Sequence, residues 1–191
     1  MRTREDWQQR HAARPERGAP SAFVAEHVAR RAAASPGGRA LDLACGSGRH
    51  TALLAASGFR AVALDQSGAA CARVAHEVRG AHPVVADALA LPFADATFDV
   101  VVQTLFLERA LFPRLLGVLA PGGVLLAETF LVAQHEATGH PRREYCLDPG
   151  ELVRLCMTVP GVRVAVVDAR EGPVKCPDGV RHLAAVAICK Q

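Results

Sequence analysis

ALDLACGSGRH, at residues 40–50, gives the strongest indication of the fold. Its first part, residues 40–45, is a short apolar run typical of a buried strand. Gly46 to Gly48 then form a turn, and the following RHTALLAASG is expected to be a helix that ends at Gly58. Small residues in the turn let a ligand approach the backbone closely, and the N-terminus of the next helix offers unpaired N–H groups. The stretch therefore predicts a strand, a ligand-binding turn and a helix.

Strands and helices alternate along the rest of the chain. Further strands are expected at residues 60–65, 83–87, 98–104, 124–130, 162–170 and 182–190. Continuous apolar strands separated by helices are typical of a parallel sheet covered on both faces, whereas the last two strands favour a hairpin. The sequence thus predicts one three-layer α/β domain over residues 1–191, with a mostly parallel seven-stranded sheet and an antiparallel C-terminal hairpin. Residues 1–35 are expected to add an N-terminal helical cap, with a helix from Ser21.

Proline and glycine set several expected boundaries. Pro-Gly-Gly at 121–123 is expected to break the chain before the fifth strand. One helix is expected to begin near Pro113, and another to have Pro149 near its first turn. A turn-rich stretch with Pro173 and Pro177 is expected to join the last two strands.

Two acidic residues follow the glycine-rich turn at the ends of later strands. Asp65 ends the second predicted strand, and Asp87 ends the third. Because the ends of parallel strands meet at one edge of the sheet, one cofactor can contact the turn and both carboxylates. A carboxylate on the second strand suits a vicinal ribose diol, and one on the third suits an exocyclic amine such as adenine N6. The dinucleotide fingerprint G-x-G-x-x-G fails, because its third glycine would fall on Thr51.

Five ordered motifs resemble those of class I S-adenosylmethionine-dependent methyltransferases, and the similarity covers nearly the whole chain. They are ALDLACGSGRH, VALDQS, VVADALALPF, FDVVVQTLFLER and LAPGGVLLAETF. Within that superfamily, DWQQRHA near the start, ETFLVAQ and PRREYCLDPGEL are similar to the tellurite-resistance methyltransferase family. The resemblance implies a Rossmann-like fold and methyl transfer from S-adenosyl-L-methionine to a small molecule, such as a thiol or a chalcogen oxyanion like tellurite.

The resemblance also implies a set of cofactor-binding residues along the sheet edge. They are Asp42, Ala44, Gly46, Gly48, Asp65, Gln66, Asp87, Ala88 and Gln103. By position, the first four surround the methionine end, Asp65 holds the ribose hydroxyls, and Asp87 takes adenine N6 with the backbone N–H of Ala88 near the ring. Gln103 and Thr104 would lie beside the methyl group and the acceptor. Ala44 is a departure, because family members often carry glycine there.

The sequence assigns no catalytic residue. The methyl group of a sulfonium is already activated, so alignment of the acceptor, the methyl carbon and the sulfur can carry much of the catalysis. A general base becomes useful if the acceptor is an amine or a hydroxyl. The candidate bases are His50, Glu108 and His135. The alternatives are that His50 faces solvent or packs on the cofactor, and that Glu108 only stabilises a helix N-terminus.

Residues 131–147 are polar and irregular, and they leave the sheet at its predicted ligand-binding edge. Their side chains suit a polar or anionic acceptor, with His135, His140, Arg142, Arg143 and Tyr145 as candidates. The segment is therefore expected to form part of the acceptor site and to become ordered when both ligands bind. The alternative is a solvated connector with a short helix. Trp7 is expected either to fold over the site or to pack on the sheet.

The composition is that of a globular protein and excludes several classes. The 191 residues are 50% hydrophobic and carry a formal net charge of +3, which gives no footprint for nucleic acid or an anionic membrane. The sequence has neither a signal peptide nor an apolar run of about 18 residues, so a cytoplasmic location is expected. The six cysteines show no C-x-x-C spacing, so neither a disulfide framework nor a metal site is expected.

Two other interpretations stay open. A nicotinamide-dependent oxidoreductase would share the turn and Asp65, but it has no use for Asp87 and prefers the missing third glycine. A non-catalytic S-adenosylmethionine-binding protein would keep the turn without an acceptor pocket, because a fold does not fix function. The sequence does not indicate the oligomeric state.

Overall fold

The computed structural model of the chain describes residues 8–9, 17–34 and 36–191. The strands are β1 (Arg39–Leu43), β2 (Arg60–Asp65), β3 (His82–Val85), β4 (Phe98–Thr104), β5 (Leu119–Phe130), β6 (Val164–Cys176) and β7 (Gly179–Lys190). The helices of the described part are α1 (Ala22–Ala34), α2 (Arg49–Ala56), α3 (Gly68–Glu77), α4 (Phe112–Val118), α5 (Val132–Thr138) and α6 (Glu151–Met157). Short 3-10 turns occupy Ala88–Ala90, Arg109–Leu111 and Arg143–Tyr145.

All of these strands form one sheet in the order β3-β2-β1-β4-β5-β7-β6. β1 pairs in parallel with both β2 and β4, and β4 pairs in parallel with β5, whereas β7 is antiparallel to β5 and β6. The strand order reverses between β1 and β4, so the connections that follow these two strands go to opposite faces and leave a crevice at the C-terminal edge. The predicted fold class is confirmed.

Apolar side chains hold the helices on both faces of the sheet. On one face, α1 and α2 pack through a cluster that includes Phe23, Val28 and Leu54. On the opposite face, α4 and α6 pack through a cluster that includes Phe112 and Leu152. Removal of this apolar surface from water stabilises both helical layers. Polar side chains lie at the C-terminal edge of the sheet, outside these two clusters.

The expectation that Pro-Gly-Gly at 121–123 breaks the chain is wrong, because β5 runs through this segment. The segment forms a bulge, opposite a register shift between Phe98 and Val100 of β4. Gly122 adopts a φ of 73°, and a Cβ on Gly123 would lie 2.8 Å from a carbonyl oxygen of the same strand. The two glycines are therefore needed for a local distortion inside a strand rather than for a connection before it.

The C-terminal hairpin is longer than predicted. Only Pro177 and Asp178 separate β6 from β7, and the two strands pair over their whole length with one irregularity. Pro173 stands inside β6, which tolerates a proline because β6 is the edge strand of the sheet. The stretch predicted to be rich in turns is therefore mostly strand.

Other predicted boundaries are confirmed or move by a few residues. α4 begins at Phe112 with Pro113 in its first turn, as predicted. β3 ends at Val85, so Asp87 lies two residues beyond the strand and not at its end. α6 begins after its N-cap Gly150, so Pro149 lies near the first turn, as predicted.

Residues 131–147 are not irregular throughout. They contain α5 and a 3-10 turn, and a bridge between Leu131 and Leu147 closes the segment at its base. Gly139, with a φ of 69°, ends α5 after only seven residues, which is too short for a clear helical period in the sequence. The alternative of a connector with a short helix thus describes the backbone better than an irregular loop.

The N-terminal region is described only in part. α1 follows Ser21 as predicted, whereas Trp7 and most of the predicted cap before Arg17 lie outside the described residues. Among the described residues, every helix is too short or too polar to cross a membrane.

Candidate active site

The glycine-rich turn between β1 and α2 holds three left-handed backbone angles. The φ values are 53° at Ala44, 53° at Gly46 and 76° at Gly48. An alanine in this region is strained by roughly 1–2 kcal/mol. Strain of this kind is typical of functional sites. Ala44 therefore adopts the conformation that glycine would adopt, and its methyl group does not change the course of the turn.

Asp65 joins the turn after β1 to the turn after β2. One carboxylate oxygen accepts the backbone N–H of Gly46 at 2.9 Å, and the other accepts the N–H of Ser67 at 2.9 Å. The side chain is not solvated, since Asp65 is only 6% exposed. Each carboxylate oxygen can accept more than one hydrogen bond. Asp65 can therefore shape the turn and still accept from a ligand.

Asp42 lies beneath the turn and is buried. The hydroxyl of Thr51 donates to its carboxylate at 2.6 Å. Burial raises the pKa of Asp42 to about 6, although the hydrogen bond from Thr51 and the positive charge of Arg49 act in the opposite direction. An ionised carboxylate that is buried destabilises the folded protein. Groups with a perturbed pKa of this kind cluster at functional sites, so the burial of Asp42 favours a role in binding.

The residues after β3 lie further out. Asp87 is exposed, and its carboxylate accepts the backbone N–H of Leu89 at 2.9 Å, which caps a 3-10 turn. Ala88 is buried, and Gln66 is half-buried. The backbone N–H of Ala86 donates to the carbonyl of Asp65 at 3.1 Å, so this segment is tied to the end of β2. The predicted contacts of these residues with an adenine ring stay predictions.

Gln103 and Leu105 shape the end of β4. The amide nitrogen of Gln103 donates to the carbonyl of Phe106 at 2.7 Å. Because a carbonyl only accepts, this contact fixes the orientation of the amide, and its oxygen is buried without a hydrogen-bond partner in the described chain. Leu105 has a φ of 53° and donates its N–H to the carbonyl of Glu128 at 2.8 Å. An unpaired buried oxygen costs about 1–3 kcal/mol, which favours its use by a ligand.

A group of polar side chains, the β4–β5 polar cluster, lies on the α1 face of the sheet edge. Its members are Ser21, Arg49, His50, Thr104 and Glu128. The backbone N–H of Ser21 donates to Nε2 of His50 at 3.1 Å, and its hydroxyl donates to Glu128 at 2.8 Å. The sequence did not indicate Ser21 or Glu128 as site residues. The one feature that could have pointed to Glu128 is its position as an acidic residue inside the apolar run VLLAETF.

His50 is neutral, and its proton is on Nδ1. Nε2 must accept, because its partner is a backbone N–H, so Nδ1–H donates to the hydroxyl oxygen of Thr104 at 3.2 Å. Burial lowers the pKa of His50 to about 3, and the charge of Arg49 adds to this effect. The solvent-facing alternative for His50 is therefore wrong, since the residue is 2% exposed. Both ring nitrogens are engaged, so His50 positions its neighbours.

Glu128 is the buried acid of the cluster. It is 7% exposed, and burial raises its pKa, whereas the hydrogen bond from Ser21 and the charges of Arg49 and Arg181 act in the opposite direction. Within the described ranges, its carboxylate accepts from Ser21 alone. Glu128 thus offers further hydrogen-bond capacity at the end of β5.

The other two candidate bases do not join this cluster. The Glu108 carboxylate accepts the N–H of Ala110 at 3.3 Å and caps a 3-10 turn. Nδ1 of His135 donates to the carbonyl of Pro141 at 2.8 Å, which leaves it inside its own segment. Both contacts are structural.

Arg109 fixes the segment after β5, and sequence reasoning missed it. Its guanidinium makes two contacts with the Glu151 carboxylate, at 2.6 and 3.2 Å. It also donates to the carbonyls of Glu144 and Cys146, at 3.1 and 2.9 Å. By contrast, the side chains of Arg142 and Arg143 are 72% and 62% exposed.

Two described residues before α1 contact the loops of the sheet edge. The side-chain oxygen of Gln8 accepts from the Ser67 hydroxyl at 3.1 Å. The carbonyl of Arg17 accepts from the Ser47 hydroxyl at 2.9 Å, and its guanidinium pairs with Glu77 at 3.0 Å. Arg17 and Gln8 therefore contact the turns after β1 and β2, respectively.

All six cysteines are free thiols. In the described part of the chain, no group of three or more His, Cys, Asp or Glu side chains is arranged to hold a metal ion.

Replacing Gly48 by Ala is expected to lower the free energy of unfolding by about 1–2 kcal/mol more than replacing Gly58 by Ala. Both glycines have a positive φ, 76° and 87°, so both substitutions share the backbone strain. Only at position 48 would the new Cβ meet a neighbour, the Cγ2 atom of Val74, at 2.7 Å. Urea denaturation measures the difference, and equal losses would contradict the tight packing of this turn.

Comparisons with known proteins agree with this geometry. Residues 41–127 match the family described as a methyltransferase domain. The demethylmenaquinone methyltransferase of Corynebacterium glutamicum (strain R) is 34% identical over 151 residues, which are 76% of this chain and 61% of the relative. An uncharacterized methyltransferase of Synechocystis sp. is 37% identical over 99 residues, 48% of this chain and 47% of the relative. The chain thus spans about half to three-fifths of the length of these curated relatives.

A solved structure shares the fold across most of the chain. An S-adenosylmethionine-dependent methyltransferase from Methanosarcina mazei has a TM-score of 0.67 and 19% identity, and the alignment covers 82% of this chain and 93% of that one.

The chain has the fold of a solved S-adenosylmethionine-dependent methyltransferase, and its residues 41–127 are similar to the methyltransferase-domain family. The matched region contains the glycine-rich turn, Asp65 and the end of β4. The comparisons favour this class over a nicotinamide-dependent oxidoreductase.

Proposed function

We propose that the chain transfers the methyl group of S-adenosyl-L-methionine to a small-molecule acceptor at the C-terminal edge of the sheet. The observation that carries the proposal is the match of residues 41–127 to the methyltransferase-domain family, because this region includes the strained turn and the buried Asp65. A cytoplasmic location and a lack of nucleic-acid or membrane partners are part of the proposal.

The residues at the edge fit the cofactor. The turn at Asp42, Ala44, Gly46 and Gly48 presents close-approach backbone for the methionine end, and Asp65 has lone pairs left for ribose hydroxyls. Asp87, Ala88 and Gln66 would contact the adenine side, and Gln103 would lie near the methyl group. When bound, the cofactor supplies an activated methyl group on a sulfonium. The chain supplies alignment and exclusion of water.

The acceptor is the finer part of the proposal. The similarity to the tellurite-resistance methyltransferase family, carried by ETFLVAQ and PRREYCLDPGEL, suggests a thiol or a chalcogen oxyanion such as tellurite. The names of the curated relatives suggest demethylmenaquinone instead. A screen with S-adenosylmethionine labelled on its methyl group, against oxyanions, thiols, amines and quinols, tests these acceptors together. Absence of both cofactor binding and methyl transfer would contradict the proposed function.

Replacing Asp65 by Ala is expected to weaken S-adenosylhomocysteine binding by about 1.5 kcal/mol or more, roughly tenfold, because a charged acceptor of hydrogen bonds is lost. The same substitution also releases the N–H groups of Gly46 and Ser67, so part of the loss is indirect. Calorimetry with the 2′,3′-dideoxy analogue separates the two effects. If Asp65 holds the ribose, the variant loses less affinity for this analogue than for S-adenosylhomocysteine, and equal losses would assign Asp65 to the turn alone.

A further inference from the structure

Thr104 of the β4–β5 polar cluster has a hydroxyl whose oxygen already accepts two hydrogen bonds. One comes from Nδ1–H of His50 at 3.2 Å, and the other comes from the guanidinium of Arg49 at 3.4 Å. A threonine oxygen has two lone pairs, so both are used. The hydroxyl hydrogen is left to donate, and the described residues offer it no acceptor. Thr104 is therefore fixed as a hydrogen-bond donor at the end of β4.

Glu128 stands beside Thr104 as a hydrogen-bond acceptor. The two residues are register partners on the parallel strands β4 and β5, so their side chains project from the same face. Their shared contacts with Ser21 and His50 agree with this placement. No hydrogen bond joins the two side chains within the described chain, although each has capacity left. The sheet edge thus presents an adjacent donor and acceptor that do not satisfy one another.

The apolar crevice at this end of the sheet is separate from the pair. Its walls include Phe112 and Leu152, which pack on the α4 and α6 face, whereas Thr104 and Glu128 project on the α1 face. The side chains that contact the pair are polar, namely Ser21, Arg49 and His50. The pair therefore indicates one hydroxyl group and not the rest of the ligand.

From these contacts we propose that Thr104 and Glu128 recognise a hydroxyl group of the methyl acceptor. The inference rests on the proposed function, since it concerns the acceptor half of the same site. A hydroxyl both accepts and donates, so it accepts from Thr104 and donates to Glu128. Other molecules use only part of this arrangement.

An oxyanion fits the pair poorly. It can accept from Thr104, but it brings a second negative charge next to the Glu128 carboxylate. The guanidinium groups nearby do not offset this charge freely, because Arg49 donates to Thr104 and Arg181 is paired with Asp178. A thiol is only a weak donor and a weak acceptor. The pair therefore selects hydroxyl compounds over the thiol and oxyanion candidates.

The test is a fluorescence titration with 2-naphthol and with 2-methoxynaphthalene, in which a methyl group replaces the hydroxyl hydrogen. Both are titrated into the protein at pH 7.5 with saturating S-adenosylhomocysteine. Wild type is expected to bind 2-naphthol about tenfold more tightly than the ether. The preference should fall below about twofold in Glu128→Met, which removes the acceptor for the hydroxyl hydrogen. Thr104→Val should instead weaken both ligands about equally, because the ether oxygen also accepts from Thr104, and Thr104→Ser should restore both affinities. Glu77→Met, which changes an exposed glutamate at the C-terminal end of α3, should keep the full preference.

The outcomes separate the inference from the proposed function. Failure of wild type to bind S-adenosylhomocysteine, measured first by calorimetry, would overturn the proposed function. Normal cofactor binding without a preference for 2-naphthol, whether or not the ether binds, would overturn only the hydroxyl pair. Displacement of 2-naphthol by sodium tellurite at similar affinity would also overturn the hydroxyl pair, and it would favour an oxyanion as the acceptor.

Discussion

Replacing Asp42 by Asn is expected to raise the free energy of unfolding at pH 8 by about 3 kcal/mol. Burial raises the pKa of this carboxyl from 3.8 to about 6 in the folded protein. Between these values the folded state binds more protons than the unfolded state, so stability falls as the pH rises from about 4 to about 6. Above pH 6 the loss is complete. Asparagine keeps the shape and can accept from Thr51, but it carries no charge to bury.

Urea denaturation from pH 4 to pH 8 measures this effect as the difference between the variant and wild type. The difference should be small at pH 4 and should reach a plateau above pH 6. Asp95→Asn is the control, because Asp95 is largely exposed and its ion pair with Arg114 contributes at most about 1 kcal/mol. A difference that does not change with pH would show that the Asp42 carboxylate stays hydrated in the folded protein.

The fold and the cofactor turn could be predicted because their signals are local. The apolar run before Gly46, and the glycines themselves, report a strand and a turn within a few residues. Asp65 was found because the ends of parallel strands meet at one edge of a sheet. Its two hydrogen bonds to the backbone could not be foreseen, since they depend on the exact course of both turns.

The errors arose where tertiary position overrides local preference. Pro-Gly-Gly forms a bulge inside β5 because β4 continues to pair on both sides of it. Pro173 is accepted because β6 is an edge strand, and a sequence does not state which strand is last in a sheet. Both segments have the composition of turns and the structure of strands.

The β4–β5 polar cluster could not be predicted because its members are far apart in the chain. Ser21 is 29 residues from His50 and 107 residues from Glu128. Each residue alone has an ordinary explanation, as a helix cap, a helix residue or a strand end. Only the sheet order, with β1, β4 and β5 adjacent, brings them together.

Replacing His50 by Gln is expected to leave the pH response of Asp42 unopposed. Burial, with Arg49, lowers the pKa of His50 from 6.5 to about 3. Below pH 6.5 the unfolded chain therefore binds a proton that the folded protein excludes. Wild type should thus lose about 3 kcal/mol through this group between pH 7 and pH 4. Because Asp42 contributes with the opposite sign over nearly the same range, the two effects should largely cancel in wild type.

The His50→Gln substitution removes the contribution of His50 and leaves that of Asp42. Loss of the contacts with Ser21 and Thr104 should destabilise His50→Gln at pH 7, but its stability relative to wild type should rise by about 3 kcal/mol on acidification to pH 4. Asp42→Asn should move in the opposite direction over the same range. His76→Gln, at an exposed position on α3, is the matched control and should follow wild type at every pH. If the curves of His50→Gln and wild type stay parallel, then His50 titrates as it does in water, and the hydrogen bond from the Ser21 N–H does not hold it neutral.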